Sequence, residues 1–270
     1  MRRLIIQILV GSIREGRKSL PIAQWVGERA ALREEFQAEL VDLADWSLPM
    51  LSFAKPPAMG LSDDATQRRW ATKIGAADGY IFVSPEYNHG SSAVLKNALD
   101  YLSAEWNRKP AAFVSFGNAG GARAVEQLRG VAIELRMAAL GEAVHILDAG
   151  DKVTDGRFAG DGRDDKQLTL LFDSLAWWGR ALSTARERTV KANNSSHRRT
   201  AVWVPMQPRL SGAAPRSQAS EYPACEASHP AHPQHGDVTL PTGHRVELVA
   251  DSEARPAVSP TTSGTKGTLA

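Results

Sequence analysis

The sequence predicts an α/β fold, an open parallel sheet with helices on both of its faces. Over about the first 188 residues, short runs rich in β-branched and aromatic residues alternate with longer amphipathic runs. This alternation is typical of parallel sheets, because a helical crossover joins each strand to the next. The first run, residues 4–10, is almost continuously apolar, as expected for a strand that is covered on both faces.

Four further runs complete a predicted five-stranded sheet. These strands are expected at residues 39–43, 80–83, 111–116 and 143–147. Five helices are predicted. The first begins at Ser19 with Pro21 in its first turn, the second runs from an N-cap cluster at residues 62–64 to about residue 76, and the third spans residues 94–103. The fourth has the apolar face Val125, Leu128, Ala132, Leu135 and Ala139, and the fifth spans residues 166–186.

The composition changes near residue 188. Nine of the 15 prolines and five of the seven histidines follow residue 196, and little apolar periodicity remains there. Such a segment buries too little apolar surface to offset its ordering entropy. We therefore predict a domain at residues 1–188 and a mostly disordered tail at residues 189–270.

Bulk properties exclude several classes of protein. The only cysteine, Cys225, permits no internal disulfide and fits a reducing compartment. A net charge of +2 gives no reason to expect nucleic acid or a membrane surface as a partner, and no run approaches the length of a spanning helix. We expect a cytoplasmic protein. The spacing of Cys225, His229, His232 and His235 fits no zinc module, so no metal is expected.

Ligands of open α/β sheets bind at the carboxyl ends of the strands, and three loops there have unusual compositions. Residues 11–19 lead into a helix and contain serines and basic side chains, which suits a phosphate. The G-x-G-x-x-G and Walker spacings are absent.

The other two loops suit a flat ligand. Residues 84–92 contain the flat side chains Tyr87 and His89, with Asn88 between them and Ser91 or Ser92 available as the N-cap of the next helix. Residues 115–123 contain three glycines, which allow the backbone to approach a ligand closely. For each loop taken alone, an ordinary solvated connection remains the alternative.

Together the three loops resemble the NAD(P)H-dependent FMN reductase family. The resemblance rests on GSIREGR at residues 11–17, PEYNHGSSAVLKNALD at 85–100 and SFGNAGGARAVEQLR at 115–129, and it extends over residues 3–185. It implies a flavodoxin-like fold, non-covalent FMN, NADPH or NADH as co-substrate and often a homodimer with the flavin near the interface. By position it assigns Ser12, Arg14, Lys18 and Ser19 to the FMN phosphate, Pro85, Glu86, Tyr87, Asn88 and His89 to the isoalloxazine, and Ser115, Gly117, Gly120 and Gly121 to its far edge.

The implied function is an oxidoreductase that passes hydride from NAD(P)H to flavin and on to a small-molecule acceptor, which is free flavin, a quinone, an azo compound or a metal ion. Because hydride moves between cofactor atoms, no catalytic side chain is expected. A flavin-binding electron carrier or redox-sensing module without nicotinamide turnover remains the alternative. Outside the loops, His145 in the fifth strand is expected to be a hydrogen-bonded core residue, and Trp177 and Trp178 are expected to pack, at least one of them against the sheet.

Overall fold

The computed structural model describes the backbone of residues 2–196 and the side chains of residues 2–189. Its centre is a five-stranded, wholly parallel sheet with the strand order β2-β1-β3-β4-β5. The strands are β1 (Leu4–Val10), β2 (Phe36–Asp42), β3 (Gly79–Pro85), β4 (Pro110–Phe116) and β5 (Ala138–Ile146). This order is that of the flavodoxin-like sheet, so the predicted fold class is confirmed.

Five helices cover the sheet in two layers, as predicted. They are α1 (Ser19–Ala31), α2 (Ala65–Gly75), α3 (Ala93–Asp100), α4 (Ala122–Glu134) and α5 (Gly162–Ser196). One buried cluster joins α1 and α5 to the sheet, and a second joins α2, α3 and α4 to the opposite face. Within β1, Ile8 belongs to the first cluster and Leu9 to the second, because successive strand residues point to opposite faces.

Two strands begin three or more residues before the positions that the sequence predicts. β2 begins at Phe36, three residues before the predicted start, and β5 begins at Ala138, five residues early. Ala139 therefore lies in β5 rather than on α4. The helix ends because Arg136 adopts a φ of 57°, after which the Met137 N–H donates back to the Ala132 carbonyl at 2.8 Å. The apolar spacing continued through this turn, so periodicity alone could not locate it.

The chain after β5 also departs from the prediction. A small hairpin of β6 (Val153–Thr154) and β7 (Arg157–Phe158) precedes α5 and was not foreseen. α5 begins at Gly162 because the Asp161 carboxylate caps it, accepting from the next backbone N–H groups at 2.9 Å. The predicted boundary at residue 188 falls inside α5. The rest of the predicted tail, with the Cys225 and histidine cluster, lies outside the described residues.

The prediction that Trp177 or Trp178 packs against the sheet is wrong. Trp177 is 65% exposed and Trp178 is 39% exposed, and their rings contact each other edge to face with centroids 5.2 Å apart. The buried face of α5 is formed instead by Leu168, Leu171 and Leu175. Among the described residues, no helix is both long enough and apolar enough to span a membrane.

Candidate functional site

The three loops singled out in the sequence meet at the carboxyl edge of the sheet. The hydroxyl groups of Ser12, after β1, and Tyr87, after β3, are hydrogen-bonded at 2.8 Å. The Glu86 N–H donates to the Phe116 carbonyl at 2.9 Å, which joins the second loop to the end of β4. The convergence therefore results from direct contacts between the loops.

These loops enclose an open cavity of about 410 Å³. Its volume falls within the range of small-molecule sites. The cavity is lined by Arg14, Glu15, Gly16, Arg17, Lys18, Pro85, Glu86, Tyr87, Phe116, Gly117, Asn118, Asp148, Ala149 and Gly150.

The first loop ends in a helix N-terminus that no side chain caps. Lys18 occupies the N-cap position of α1 without a side-chain hydrogen bond to the helix. The next residue, Ser19, is completely buried, and its hydroxyl has no hydrogen-bond partner among the residues that the structure describes. A buried hydroxyl without a partner is costly, and free N–H groups at a helix start favour an anion. This end of the cavity therefore suits a phosphate.

The basic residues of this loop divide into two groups. Arg17 is mostly buried, and its guanidinium donates to the Asp42 carboxylate at 2.5 Å and to the Ser12 carbonyl at 3.1 Å. Arg17 thus ties the loop to the end of β2. Arg14 is exposed and lies over the Tyr87 ring, with its guanidinium carbon 5.3 Å from the ring centroid. Arg14 and Lys18 are the cations oriented to meet a ligand.

The second loop contains a tight turn. Tyr87 and Gly90 exchange backbone hydrogen bonds of 2.9 and 3.0 Å, while Asn88 and His89 have φ values of 48° and 68°. Positive φ at two successive non-glycine residues is unusual and costs conformational energy. Beyond the turn, Ser92 caps α3 by accepting from the Leu95 N–H at 3.2 Å, as predicted for this serine pair, and it also donates to the Gly11 carbonyl.

Glu86 links the second loop to the start of α4. Its carboxylate side chain is only 4% exposed, and it accepts from the Arg123 backbone N–H at 3.0 Å and from the Arg123 side chain at 2.6 Å. The Arg123 guanidinium holds the pKa of Glu86 below its usual range, because it outweighs the opposing effect of burial. Glu86 is therefore a carboxylate at neutral pH. Arg123 also contacts His89, with 2.9 Å between the guanidinium and Nε2.

Glycine is required at two positions of the third loop. Gly117 has a φ of 153°, and a Cβ there would lie 3.0 Å from the Glu86 Cβ. Gly121 has a φ of 76° at the N-cap of α4, where a Cβ would lie 2.6 Å from the Ser115 Cβ. The Ser115 hydroxyl donates to the Gly120 carbonyl at 2.8 Å and lies 3.0 Å from His145 Nδ1. His145 is therefore hydrogen-bonded within β5 as expected, but it is only partly buried, so the expectation of a core position is wrong.

The cavity includes six of the thirteen residues that the sequence assigned to the ligand: Arg14, Lys18, Pro85, Glu86, Tyr87 and Gly117. The other seven do not line the cavity. Ser12, Ser19, Ser115, Gly120 and Gly121 lie buried behind the loops, whereas Asn88 and His89 are exposed at the turn.

Sequence reasoning missed a fourth loop, residues 148–150, which follows β5. Asp148 has a φ of 50°, and the Lys18 ammonium lies close to the Gly150 backbone. The position of this loop after a strand of the same sheet was the available signal, because the carboxyl ends of all parallel strands share one edge.

The residues present fit FMN. The uncapped helix start with the unpartnered Ser19 hydroxyl suits its phosphate, and Arg14 and Lys18 supply positive charge. Tyr87 and the backbone at Gly117 offer flat surfaces for a ring system. The polar cavity edge at residues 148–150 suits hydroxyl groups.

Comparison with known proteins agrees with this geometry. The family described as NADPH-dependent FMN reductase matches residues 4–151. An NAD(P)H-dependent FMN reductase of Schizosaccharomyces pombe is 42% identical over 154 residues, which is 56% of this chain and 76% of that protein. An NADPH azoreductase of a Bacillus species is 33% identical over 135 residues, 49% of this chain and 72% of that protein. A 2-hydroxy-1,4-benzoquinone reductase of a Burkholderia species is 29% identical over 187 residues, 66% of this chain and 97% of that protein.

Two solved structures have a similar fold. FerB, a flavoenzyme NAD(P)H:(acceptor) oxidoreductase from Paracoccus denitrificans, aligns over 66% of this chain and 98% of its own, with a TM-score of 0.51 and 20% identity. RosB with bound 8-demethyl-8-formylriboflavin-5′-phosphate aligns over 84% of this chain and 100% of its own, with a TM-score of 0.55 and 13% identity. At these identities the likeness concerns the fold.

Proposed function

The chain belongs to the NADPH-dependent FMN reductase family, and we propose that it holds FMN in the cavity at the carboxyl edge of its sheet and reduces a quinone or an azo compound at the expense of NAD(P)H. The observation that carries the proposal is the buried, unpartnered Ser19 hydroxyl at the uncapped start of α1. Ser19 directly follows Lys18, which lines the cavity formed by the loops in which the family motifs occur.

We assign the phosphate to the first loop. Arg14 and Lys18 pair with its charge, and Ser19 donates its hydroxyl hydrogen. Ser12 acts through Tyr87, because the two hydroxyl groups are already bonded to each other. Arg17 positions the loop through Asp42 rather than binding the phosphate itself.

We assign the ring system to the second and third loops. Pro85, Glu86 and Tyr87 line one wall of the cavity and Gly117 lines another, with Ser115, Gly120 and Gly121 supporting that backbone from behind. Asn88 and His89 are exposed at the turn, from which they reach the ring edge or an incoming substrate.

FMN, when bound, supplies the two-electron chemistry between a reduced nicotinamide and the acceptor. The protein's own contribution is to orient the ring and to keep one side of the cavity open. No side chain of the cavity is assigned as a general acid. The most buried candidate, Glu86, is held as a carboxylate by Arg123 and has no proton to give at neutral pH.

The proposal that the electron acceptor is a quinone or an azo compound is based on two similar proteins. A quinone reductase and an azoreductase both align over at least 72% of their own lengths, and both act on small, flat molecules. We further propose that the protein is a cytoplasmic homodimer. Its single cysteine suits a reducing compartment, and homodimers are common in the family.

Three measurements on the purified full chain test the function. We expect a flavin absorbance spectrum after reconstitution with FMN, loss of that absorbance when NADPH or NADH is added without oxygen, and its return when 1,4-benzoquinone or an azo dye is added. A protein that binds FMN but leaves it oxidised in the presence of both nicotinamides would instead be a carrier. A protein that does not retain FMN would contradict the site assignment.

A further inference from the structure

The outer face of α5 is apolar and uncovered by any described part of the chain. Leu170 is 53% exposed, Trp177 is 65% exposed and Trp178 is 39% exposed. Ser174, between Leu170 and Trp177, and Ala181, after Trp178, lie on the same face at helical spacing. We call these five residues the α5 stripe. Two adjacent exposed tryptophans on a regular helix are unusual for a surface that faces only water.

A row of exposed charges borders the stripe. Lys166, Asp173, Arg180 and Glu187 recur every seven residues, so they lie on one side of the helix over about 32 Å. Their signs alternate: positive, negative, positive, negative. Such a row is complementary to its own reverse, because each charge meets an opposite charge when a second copy lies antiparallel to it.

Only part of this row is neutralised within the chain. Asp173 accepts from Arg33 at 2.8 Å, and Glu187 lies 4.0 Å from Arg2. Lys166 and Arg180 have no ion-pair partner among the described residues.

We propose that the α5 stripe binds a second copy of this chain, with the two α5 helices antiparallel and the two-fold axis near Trp177. In this register Asp173 of each copy faces Arg180 of the other, and Lys166 faces Glu187. The tryptophans meet at the centre, and Leu170 lies opposite the small residues near Ala185. A parallel two-fold pairing would place the two charge rows on opposite sides of the contact, where they do not meet, so only the antiparallel arrangement pairs the charges.

This contact is separate from the flavin cavity. No residue that lines the cavity belongs to α5, and the stripe lies on the layer formed by α1 and α5. The homodimer implied by the family resemblance places the flavin near its interface. The α5 contact is therefore either a different dimer or a second interface that joins two such dimers, and its loss should leave FMN affinity unchanged.

Sedimentation velocity of the full chain tests the stripe. We expect Trp177→Glu to halve the mass of the assembly, whether the unchanged protein contains two copies or four, and we expect Trp177→Phe to preserve it. FMN affinity and far-UV circular dichroism should be the same in all three proteins. An unchanged mass in Trp177→Glu, or an unchanged protein that is already monomeric at micromolar concentration, would overturn the proposal.

Charge reversal tests the register without altering the tryptophans. Asp173→Arg and Arg180→Asp should each weaken self-association by roughly tenfold, because each places like charges together twice in a two-fold contact. The double variant restores opposite pairs and should recover the affinity. If the double variant associates no better than the singles, the antiparallel pairing is wrong. This comparison also applies if Trp177→Glu fails to fold.

Discussion

The two ends of the parallel sheet differ in whether the protein supplies hydrogen-bond partners for their buried polar groups. At the carboxyl end, Ser19 keeps a buried hydroxyl without a partner, α1 starts without a side-chain cap, and Asn88 and His89 adopt strained backbone conformations. At the amino end, the buried ionisable groups are fully bonded. Because both ends belong to one sheet, we attribute the difference to their roles, which are ligand binding at the carboxyl end and stabilisation of the fold at the amino end.

Asp78 is the centre of the amino end. Its carboxylate accepts from Arg2 at 2.7 and 3.0 Å, from Arg186 at 3.0 Å and from the Ile5 N–H at 3.0 Å. These bonds join β1, β3 and α5. Nearby, the buried ammonium of Lys109 donates to two carbonyls at the end of α2 and to the Tyr80 hydroxyl. The Asp78 carboxylate and the Lys109 ammonium are therefore both paired within the fold.

The comparison teaches that the buried charged groups of the amino end are paired within the fold, whereas the carboxyl end keeps an unpartnered serine hydroxyl next to a residue of the cavity. An open group at the carboxyl end lowers the stability of the empty protein and raises its affinity for the ligand that completes it. Substitutions at the two ends should therefore separate stability from flavin affinity.

The largest effect is expected from Asp78→Asn. It should lower the free energy of unfolding of the FMN-free protein by about 2–4 kcal/mol, because two guanidinium groups lose their carboxylate partner. Urea unfolding measures this change. The matched change Asp148→Asn, at an exposed residue of the carboxyl end, should stay within about 0.5 kcal/mol. Equal losses in the two variants would remove the proposed difference between the ends.

The same carboxylate predicts an acid limit. Burial raises the pKa of Asp78, but the hydrogen bonds from Arg2 and the Ile5 N–H and the nearby positive charges outweigh it, so the pKa lies below its ordinary value. The stabilisation is then present above the pKa of the unfolded chain and is lost as pH falls through the folded-state pKa. Asp78→Asn should lack this part of the acid dependence.

Arg14→Ala should have the next largest effect, on affinity alone. Loss of one charge-assisted bond to phosphate costs about 1.5–3 kcal/mol, which weakens FMN binding by about 10- to 100-fold. Fluorescence titration measures the dissociation constants. Riboflavin, which lacks the phosphate, should bind the variant and the unchanged protein almost equally. Parallel losses for both flavins would show that Arg14 acts on the ring through Tyr87.

Lys109→Met tests the comparison between the two ends through the pH dependence of the free energy of unfolding. Burial first, and then the charge of Arg186, lower the pKa of Lys109 from 10.5 to about 8, against the opposing effects of Asp78 and Glu105. Between pH 8 and 10 the unfolded chain holds a proton that the folded chain has lost, so the unchanged protein should gain about 2 kcal/mol of stability relative to Lys109→Met. A difference that does not change with pH would place the folded-state pKa near its ordinary value.

The fold could be predicted well where the periodicity was uninterrupted. Residues 4–10 read as a buried strand, and the structure has β1 at Leu4–Val10. The errors occur where an apolar spacing fits two elements. Ala139 continued the spacing of α4, and only the positive φ of Arg136, which sequence pattern does not reveal, ends that helix. Trp177 was misplaced because a large apolar residue was assumed to be buried.

The site could be predicted in part, from loop composition and position after strands. The sequence indicated that three loops converge, and it offered Ser91 or Ser92 as the cap of α3, of which the structure has Ser92. It could not indicate that Arg17 is engaged by Asp42, since that pair joins segments 25 residues apart. The composition of residues 148–150 also did not indicate that they line the cavity. They do so because the loop lies beside Lys18.

The smallest predicted effect is that of Ser19→Ala, and it is the most specific test. The substitution should not destabilise the FMN-free protein, but it should weaken the binding of FMN. In the FMN-free protein, Ser19→Ala removes a buried hydroxyl without a partner from a helix start, so the free energy of unfolding should stay the same or rise by up to about 1 kcal/mol. With FMN, the lost hydrogen bond to phosphate should weaken binding by about fivefold, or roughly 1 kcal/mol.

Ser92→Ala is the matched control, since it deletes the same atom from another buried serine at the start of a helix. The Ser92 hydroxyl caps α3 and donates to the Gly11 carbonyl, so its removal should destabilise the FMN-free protein by about 1–2 kcal/mol. The two serines differ in whether the protein already supplies their partners. If Ser19→Ala destabilises the empty protein as much as Ser92→Ala does, then the Ser19 hydroxyl is bonded within the fold, and the phosphate must bind elsewhere in the cavity.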